Sequence, residues 1–283
     1  MPSSDIEEFR QTLANAQHIL VLSGAGLSVS SGIATFRGNG GMWRKYDSAS
    51  LATLAAWQEN QSRVWQFFHY RREEIRKASP NEGHRCLARL AIPSLRKAVS
   101  PSSTFVHITQ NIDGLSPTAI SQAATLANED PDSEVIEMHG NIFDVTCCAH
   151  DCDYHEHVLD SPICPALAGT ELLVEAGDTE PVVKRADLPH CPKCGQLLRP
   201  DVTLFQERPK RILDILELAD KADFCIVVGT SGVVQPASRI NERVQAHGGK
   251  VAVFNMEMSN HADQADFVFL GPCEDTLQKV IGV

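Results

Sequence analysis

The sequence predicts an α/β protein with a doubly wound parallel sheet and a smaller metal-binding and helical module. Short apolar runs alternate with helical segments along most of the chain, which is typical of parallel sheets with helices on both faces. Small or polar residues follow each apolar run, as a ligand cleft at the strand ends requires. Six of the nine cysteines lie between Cys147 and Cys194, which marks a separate module.

The predicted elements follow in order. Residues 5–16 predict an amphipathic helix through Ile6, Phe9 and Leu13. Residues 38–97 predict a helical, charged insert, residues 116–133 predict a loop around a short helix, and a helix closes the chain after Cys273. The predicted strands are 18–22, 103–108, 134–138, 224–228, 250–254 and 267–270.

Gly24 and Gly26 follow the first predicted strand, where the chain turns toward a helix. Two glycines at such a turn let backbone N–H groups and a helix N-terminus approach a pyrophosphate. Val29 takes the place of the third glycine in the usual dinucleotide fingerprint. On these residues alone, a plain strand-to-helix turn is an equal alternative.

Composition and charge restrict the function classes. At 283 residues and 43% hydrophobic, the chain can form one large domain or two unequal ones. Its net charge of −11 disfavours a nucleic-acid partner and suits a cationic protein substrate. We expect no signal peptide, no transit peptide and no membrane span, because the N-terminus is acidic and no apolar run is long enough. The cysteine usage favours a reduced, intracellular protein.

The spacing Cys191-Pro-Lys-Cys194 lets two thiolates reach one metal ion. Cys152 together with Cys147 or Cys148 supplies a second pair, which gives a closed, structural four-sulfur site. Buried free thiols are the alternative. His150, His155 and His157 are competing ligands that rank below the cysteines.

Two further residues are candidates for chemistry. His139 lies at the end of a predicted strand and titrates near neutral pH, so it is a candidate base, although a bystander histidine is equally consistent. Arg71 follows an aromatic run from Trp65 to Tyr70, and its pattern favours a solvated helix face.

Taken together, the motifs resemble the sirtuins, the NAD-dependent protein lysine deacylases, over almost the whole chain. The shared motifs are Gly24-Ala-Gly-Leu-Ser28, Ser31-Gly32, Phe36-Arg37-Gly38, Gly41-Met-Trp43, Thr109-Gln-Asn-Ile-Asp-Gly114, His139-Gly140, Gly229-Thr-Ser231 and the cysteine pairs. The chain is most similar to the class III branch that removes malonyl, succinyl and glutaryl groups. That similarity lies in Trp43-Arg-Lys45, Ser62-Arg-Val-Trp65, His69-Tyr-Arg-Arg72, Ser161-Pro-Ile-Cys-Pro165 and Gly271-Pro-Cys273.

The resemblance implies a Rossmann-like domain for NAD, formed by residues 1–37, 98–143 and 211–283. It also implies an inserted helical module at 38–97 and a module at 144–210 that holds one structural zinc ion. The implied zinc ligands are Cys147, Cys152, Cys191 and Cys194. The implied cofactor-binding residues are Gly24, Ala25, Gly26, Ser28, Phe36, Arg37, Gln110, Asn111, Asp113, Gly229, Thr230, Ser231, Asn255 and Cys273.

The family chemistry implies that the acyl oxygen attacks the ribose C1′ as nicotinamide leaves. His139, with Asn111 and Asp113, then forms the catalytic group, and His139 is the general base for a ribose hydroxyl. The acyl group passes from lysine to ADP-ribose, and the metal takes no direct part.

In the branch specific for acidic acyl groups, an arginine and a tyrosine bind the distal carboxylate and an alanine leaves room for it. Arg71 matches the arginine and Ala52 the alanine, whereas Phe68 stands at the tyrosine position. One neutral hydrogen bond, worth about 0.5–1.5 kcal/mol, is therefore absent. Gln206 replaces a family glycine in a strand expected to pair with the substrate backbone.

The resemblance thus implies an NAD-dependent lysine deacylase that favours malonyl-, succinyl- or glutaryl-lysine on protein substrates. The alternatives are a deacetylase or long-chain deacylase with Phe68 in an apolar channel, a protein ADP-ribosyltransferase, and a non-enzymatic NAD-binding module. We expect a cytoplasmic or nuclear location, or a mitochondrial one without a recognisable presequence, and no direct contact with nucleic acid or membrane.

Overall fold

The computed structural model describes residues 1–35, 41–174 and 179–283. The helices are α1 (Ile6–Asn15), α2 (Ser48–Leu51), α3 (Leu54–Glu59), α4 (Gln61–Ile75), α5 (Glu82–Leu90), α6 (Pro93–Arg96), α7 (Leu115–Ala127), α8 (Ile212–Lys221), α9 (Ile240–Ala246) and α10 (Cys273–Ile281). The strands are β1 (His18–Ser23), β2 (Met42–Trp43), β3 (Tyr46–Asp47), β4 (Thr104–Thr109), β5 (Val135–Glu137), β6 (Gly140–Cys147), β7 (His155–His157), β8 (Leu198–Val202), β9 (Phe224–Val228), β10 (Lys250–Asn255) and β11 (Phe267–Leu270).

Six parallel strands form the main sheet, in the order β11-β10-β9-β1-β4-β5. This confirms the predicted doubly wound α/β fold. Successive residues of β1 serve opposite faces: Ile19 and Val21 lie in one hydrophobic cluster, and Leu20 and Leu22 in another. Both faces are covered, because α1, α5, α7 and α10 contribute to the first cluster and α8 and α9 to the second.

A third hydrophobic cluster belongs to a smaller unit. It joins side chains of α2, α3 and α4 with those of β6 and β8. Here β6 is the central strand of an antiparallel sheet in the order β7-β6-β8. Since β6 begins directly after His139, the smaller sheet starts at the edge of the main one.

The segment 116–133 differs from its predicted loop, because α7 is a regular helix of 13 residues. Its buried residues Leu115, Ala119, Ile120 and Ala123 have helical spacing. Pro117 lies in the first turn, where a backbone N–H has no partner within the helix and none is lost. A proline and several polar residues therefore do not exclude a helix here.

Helix α5 packs on the main sheet, although the sequence predicted that it belongs to the inserted module at 38–97. Cys86, Leu87 and Leu90 pack in the cluster on the main sheet rather than with α2, α3 and α4. Among the described residues, none of the helices is both long and apolar enough to cross a bilayer.

Candidate functional site

The glycine turn after β1 packs against the end of β9. The Gly24 N–H donates to the Val228 carbonyl at 2.9 Å, and the Gly26 N–H donates to the Gly229 carbonyl at 2.8 Å. A Cβ on Gly26 would lie 2.7 Å from the Gly229 Cα, and one on Gly24 would lie 2.9 Å from the Gly229 oxygen. These glycines are therefore required by the contact between two loops. A 3₁₀ helix, Ala25–Ser31, begins directly after Gly24 and includes Gly26.

Polar residues after β4 reach the same turn. The Asn111 side-chain amide donates to the Gly24 carbonyl at 3.1 Å and to the Ser28 hydroxyl at 3.0 Å. Ser28 in turn donates to a carboxylate oxygen of Asp113 at 2.7 Å. The three side chains are buried, so two distant segments are joined by one hydrogen-bonded network.

Asp113 is held in an unusual environment. Burial raises the pKa of its carboxyl, while the bonds from Ser28 and from the Leu115 backbone, together with attraction to Arg71, oppose the rise. Burial likewise lowers the pKa of Arg71, and attraction to Tyr70, Glu74 and Asp113 opposes that change. Arg71 and Asp113 therefore interact electrostatically inside the protein.

His139 stands beside this network. Its Nδ1 lies 2.9 Å from the carbonyl oxygen of Gln110. A carbonyl only accepts hydrogen bonds, so Nδ1 carries the proton and Nε2 keeps its lone pair. Burial lowers the pKa of His139, which keeps the imidazole neutral, as a general base requires.

The ends of β9 and β10 carry the residues predicted for the adenosine side. Asn255 donates to the Thr230 carbonyl at 3.0 Å, and Gln110 donates to the Thr230 hydroxyl at 3.2 Å. Ser231 is exposed beside them, whereas Cys273 is buried at the start of α10. The carboxyl ends of four strands, β1, β4, β9 and β10, thus meet at one edge of the sheet.

The predicted acyl-binding residues lie on the smaller unit. Arg71 is buried on α4 and donates to the Ala34 carbonyl at 2.9 Å, so the predicted solvated position is wrong. Phe68, one helical turn earlier, is buried and makes an edge contact with Phe67. Ala52 accepts a backbone hydrogen bond from Phe205 at 2.8 Å.

A short segment after β8 connects these residues to His139. The Thr203 N–H donates to the His139 carbonyl at 2.8 Å, and two residues later Phe205 pairs with Ala52. Gln206, at the end of this segment, has a φ of 80°. The segment therefore spans the distance between the candidate base and the candidate acyl pocket.

The four predicted zinc ligands come together. Their sulfur atoms all lie within 4.8 Å of one another, and the Cys147–Cys194 and Cys152–Cys191 pairs are 3.4 and 3.7 Å apart. A tetrahedral zinc site with about 2.3 Å bonds has sulfurs about 3.8 Å apart. The donor set therefore fits a structural zinc ion, with Cys147 rather than its neighbour Cys148 as the fourth ligand.

Sequence reasoning missed two titratable groups near the strand ends, one buried and one partly buried. His107 on β4 bonds to the Ser23 hydroxyl at 2.8 Å, and burial lowers its pKa to about 3. Glu137, two residues before His139, accepts from Asn141 at 2.9 Å, and burial raises its pKa to about 7. An ionisable residue inside an otherwise apolar strand was the only available signal. The predicted cofactor residues Phe36 and Arg37 lie outside the described residues.

Comparison with known proteins gives a consistent result. A family model described as the Sir2 family matches residues 24–236. A Canis lupus familiaris protein named NAD-dependent protein deacylase sirtuin-5, mitochondrial, is 41% identical, and the match covers 99% of this chain and 86% of the relative. A Daphnia pulex NAD-dependent protein deacylase is 39% identical, with 99% and 97% covered.

Solved structures agree with the sequence relatives. The crystal structure of a Sir2 homologue–NAD complex matches with a TM-score of 0.77 and 30% identity, over 100% of this chain and 95% of that chain. A structure titled Sir2-p53 peptide-NAD+ matches with a TM-score of 0.72 and 25% identity, over 98% of each chain.

Proposed function

This chain belongs to the Sir2 family, and from that membership we propose that it removes acidic acyl groups from protein lysines. It is an NAD-dependent protein deacylase, as are the named relatives from dog and Daphnia. The preference for malonyl, succinyl or glutaryl groups is the specific part of the proposal. The buried Arg71 guanidinium is the observation that carries it, because an acyl carboxylate can pair with a cation that water screens little.

NAD, when bound, supplies a ribose carbon that accepts the acyl oxygen as nicotinamide departs. His139 is proposed as the base, with its lone pair on Nε2 and its ring held by the Gln110 carbonyl. Asn111 and Asp113 are proposed to orient the ribose and carboxamide, since Ser28 and the Gly24 carbonyl hold both side chains in place. The turn at Gly24, Gly26 and Gly229 is proposed to lie on the phosphate side, although the Gly24 and Gly26 N–H groups themselves bond to the Val228 and Gly229 carbonyls.

The proposed substrate is an acyl-lysine on a protein. A Sir2 structure with a p53 peptide and NAD+ supports a peptide as the bound partner. The net charge of −11 also favours a lysine-rich protein over a nucleic acid. Mitochondria are included among the proposed compartments, because the dog relative is named as mitochondrial.

The test is nicotinamide release with acetyl, malonyl, succinyl, glutaryl and myristoyl peptides, using wild type and Arg71→Met. We expect the wild type to favour the acidic peptides. Loss of a charge-assisted hydrogen bond worth about 1.5–3 kcal/mol predicts a roughly 10- to 100-fold fall in kcat/KM for succinyl-lysine. Activity on acetyl-lysine is expected to change little.

Arg76→Met is the matched control, because Arg76 is exposed near the same helix and its loss changes the net charge equally. Unchanged desuccinylation in Arg71→Met would refute the carboxylate role. Labelled NAD that remains on the acceptor protein would instead indicate ADP-ribosyl transfer.

A further inference from the structure

The outer face of the small antiparallel sheet carries a second group of metal-ligating side chains. Asp144 on β6 lies opposite His157 on β7, and Thr146 lies opposite His155, so these side chains share one face. Asp201 on β8 belongs to the same face. Burial alternates along β6, and Cys147 points to the other, buried face. The two groups of ligands are therefore separate.

Three ligand atoms converge on this face. The His155 Nε2 lies 3.0 Å from the Asp201 Oδ2 and 3.5 Å from the Asp144 Oδ2. All three residues offer ligand atoms within 4.8 Å of one another. Nitrogen and oxygen ligands at about 2.1 Å from a tetrahedral cation lie about 3.4 Å apart. A cation therefore fits between these atoms with only small side-chain movements.

Neighbouring groups orient both carboxylates. The His157 Nδ1 lies 2.6 Å from the Asp144 Oδ1, the oxygen that does not face His155. The Lys210 ammonium contacts the Asp201 Oδ2, and the lysine side chain is partly exposed. Carboxylates in metal sites are commonly held by such outer hydrogen bonds.

The arrangement is poorly explained by hydrogen bonding alone. A neutral His155 ring has a single N–H to donate, yet two carboxylates approach the same nitrogen. The Lys210 ammonium balances the charge of only one of the two carboxylates, whereas a cation between them would balance both. A divalent cation would satisfy both carboxylates and the imidazole lone pair together.

We propose that Asp144, His155 and Asp201 bind one divalent transition-metal cation, in addition to zinc at the four cysteines. One imidazole and two carboxylates suit zinc, cobalt or manganese ions. Three protein ligands leave a coordination position open. Water can reach this position because the His155 side chain is half exposed, and a cavity of about 580 Å³ lined in part by Asp201 and Lys210 lies next to it. This proposal is independent of the deacylase activity.

The test uses zinc-loaded protein and Co²⁺ as the probe, measured by equilibrium dialysis and visible absorption. Soft thiolate ligands select zinc, so the thiolate site of the zinc-loaded protein is expected to keep zinc when Co²⁺ is added. Cobalt bound only by nitrogen and oxygen also lacks the intense near-ultraviolet bands of cobalt thiolates. We expect wild type to bind one Co²⁺ per chain without those bands.

His155→Gln and Asp201→Asn should each weaken Co²⁺ binding at least tenfold, and His157→Gln should weaken it by about tenfold as an outer partner. His247→Gln is the matched control: His247 lies 3.4 Å from the Asp220 carboxylate and is similarly exposed. It should bind Co²⁺ as wild type does. Uptake of no Co²⁺ by wild type, or equal affinity in His155→Gln and His247→Gln, would overturn the proposal. Zinc content and thermal melting verify that each variant is folded.

Discussion

Gly24, Gly26 and Gly229 lie where two loops approach each other too closely for a side chain. The sequence motif points to a phosphate-binding turn, but the direct constraint in the structure is that two loop backbones touch. Any side chain at Gly26 would meet the Gly229 backbone within 3 Å. This contact holds the turn after β1 against the turn after β9, where the predicted cofactor residues lie.

Phe68 permits a direct test of the acyl pocket. Phe68→Tyr restores the hydroxyl found in the acidic-acyl branch, one helical turn from Arg71. A neutral hydrogen bond of about 0.5–1.5 kcal/mol predicts a roughly two- to tenfold rise in kcat/KM for succinyl-lysine. Activity on acetyl-lysine, which has no distal carboxylate, serves as the internal control. An equal rise on both peptides would contradict a bond to the carboxylate.

His107 predicts part of the acid sensitivity. Its folded pKa of about 3 lies below the ordinary value of 6.5, so between these pH values the unfolded chain binds a proton that the native protein does not. Stability from this residue is complete above pH 6.5 and falls as the pH decreases toward 3. One proton corresponds to about 1.4 kcal/mol per pH unit.

His107→Gln keeps a hydrogen-bonding side chain beside Ser23 but removes this titration. We expect the decline in unfolding free energy between pH 6 and pH 4 to be shallower by about 1.4 kcal/mol per pH unit. Urea unfolding of both proteins measures it, and the zinc site is common to both. If the unfolding free energies of both proteins fell equally with pH, a group other than His107 would cause the loss of stability in acid.

At the scale of elements, helix α4 shows why burial does not follow from local sequence. Its charged residues suggest a solvated face, yet Arg71 and Arg72 are buried. Arg72 donates to the carbonyls of Ile142, Val158 and Asp160, and burial lowers its pKa to about 10. Neighbouring elements surround the helix, and their carbonyl oxygens satisfy its guanidinium groups.

The segment after β8 carries local strain that can be measured. Gln206 has a φ of 80°, where an L residue costs about 1–2 kcal/mol and glycine does not. The greater freedom of unfolded glycine offsets part of this gain. We expect Gln206→Gly to raise the unfolding free energy by about 0.5–1 kcal/mol.

Gln206→Ala is the control, since alanine keeps the strained conformation. It should leave stability within about 0.5 kcal/mol of wild type, because the side chain is exposed. Equal denaturant midpoints for the glycine and alanine variants would exclude strain at this position.

For the whole molecule, we propose a division that differs slightly from the predicted modules. Helix α5 and the two residues after it pack on the main sheet, so we place the end of the inserted module near residue 81. The boundary after β5 lies close to His139, because β6 already belongs to the small sheet. The candidate base is thus at the junction of the two units.

Zinc binding is expected to stabilise the small unit as a whole. Cys147→Ser removes one of four clustered ligands, whereas Cys148→Ser changes an exposed neighbour outside the cluster. We expect Cys147→Ser to lose zinc and melt at a lower temperature, since a structural zinc ion contributes directly to folding. Zinc content and calorimetry measure both effects. If Cys148→Ser lost zinc and Cys147→Ser kept it, Cys148 rather than Cys147 would be the fourth ligand.

Much of this molecule was predictable from its sequence. The six apolar runs marked the six parallel strands, because a strand buried on both faces is mostly apolar. The two-residue spacing of Cys191 and Cys194 pointed to a metal site, and the family resemblance carried in part by the motif at 109–114 implied NAD.

The tertiary structure alone decided which distant groups meet. Ser28 and Asp113 are 85 residues apart, and Asp144 and Asp201 lie on different strands, so no local pattern pairs them. Arg71 is a further example: its charge predicts an exposed side chain, but other elements of the fold bury it. Periodicity records the face a residue occupies, whereas burial, pKa and ligand convergence depend on what the rest of the chain packs against that face.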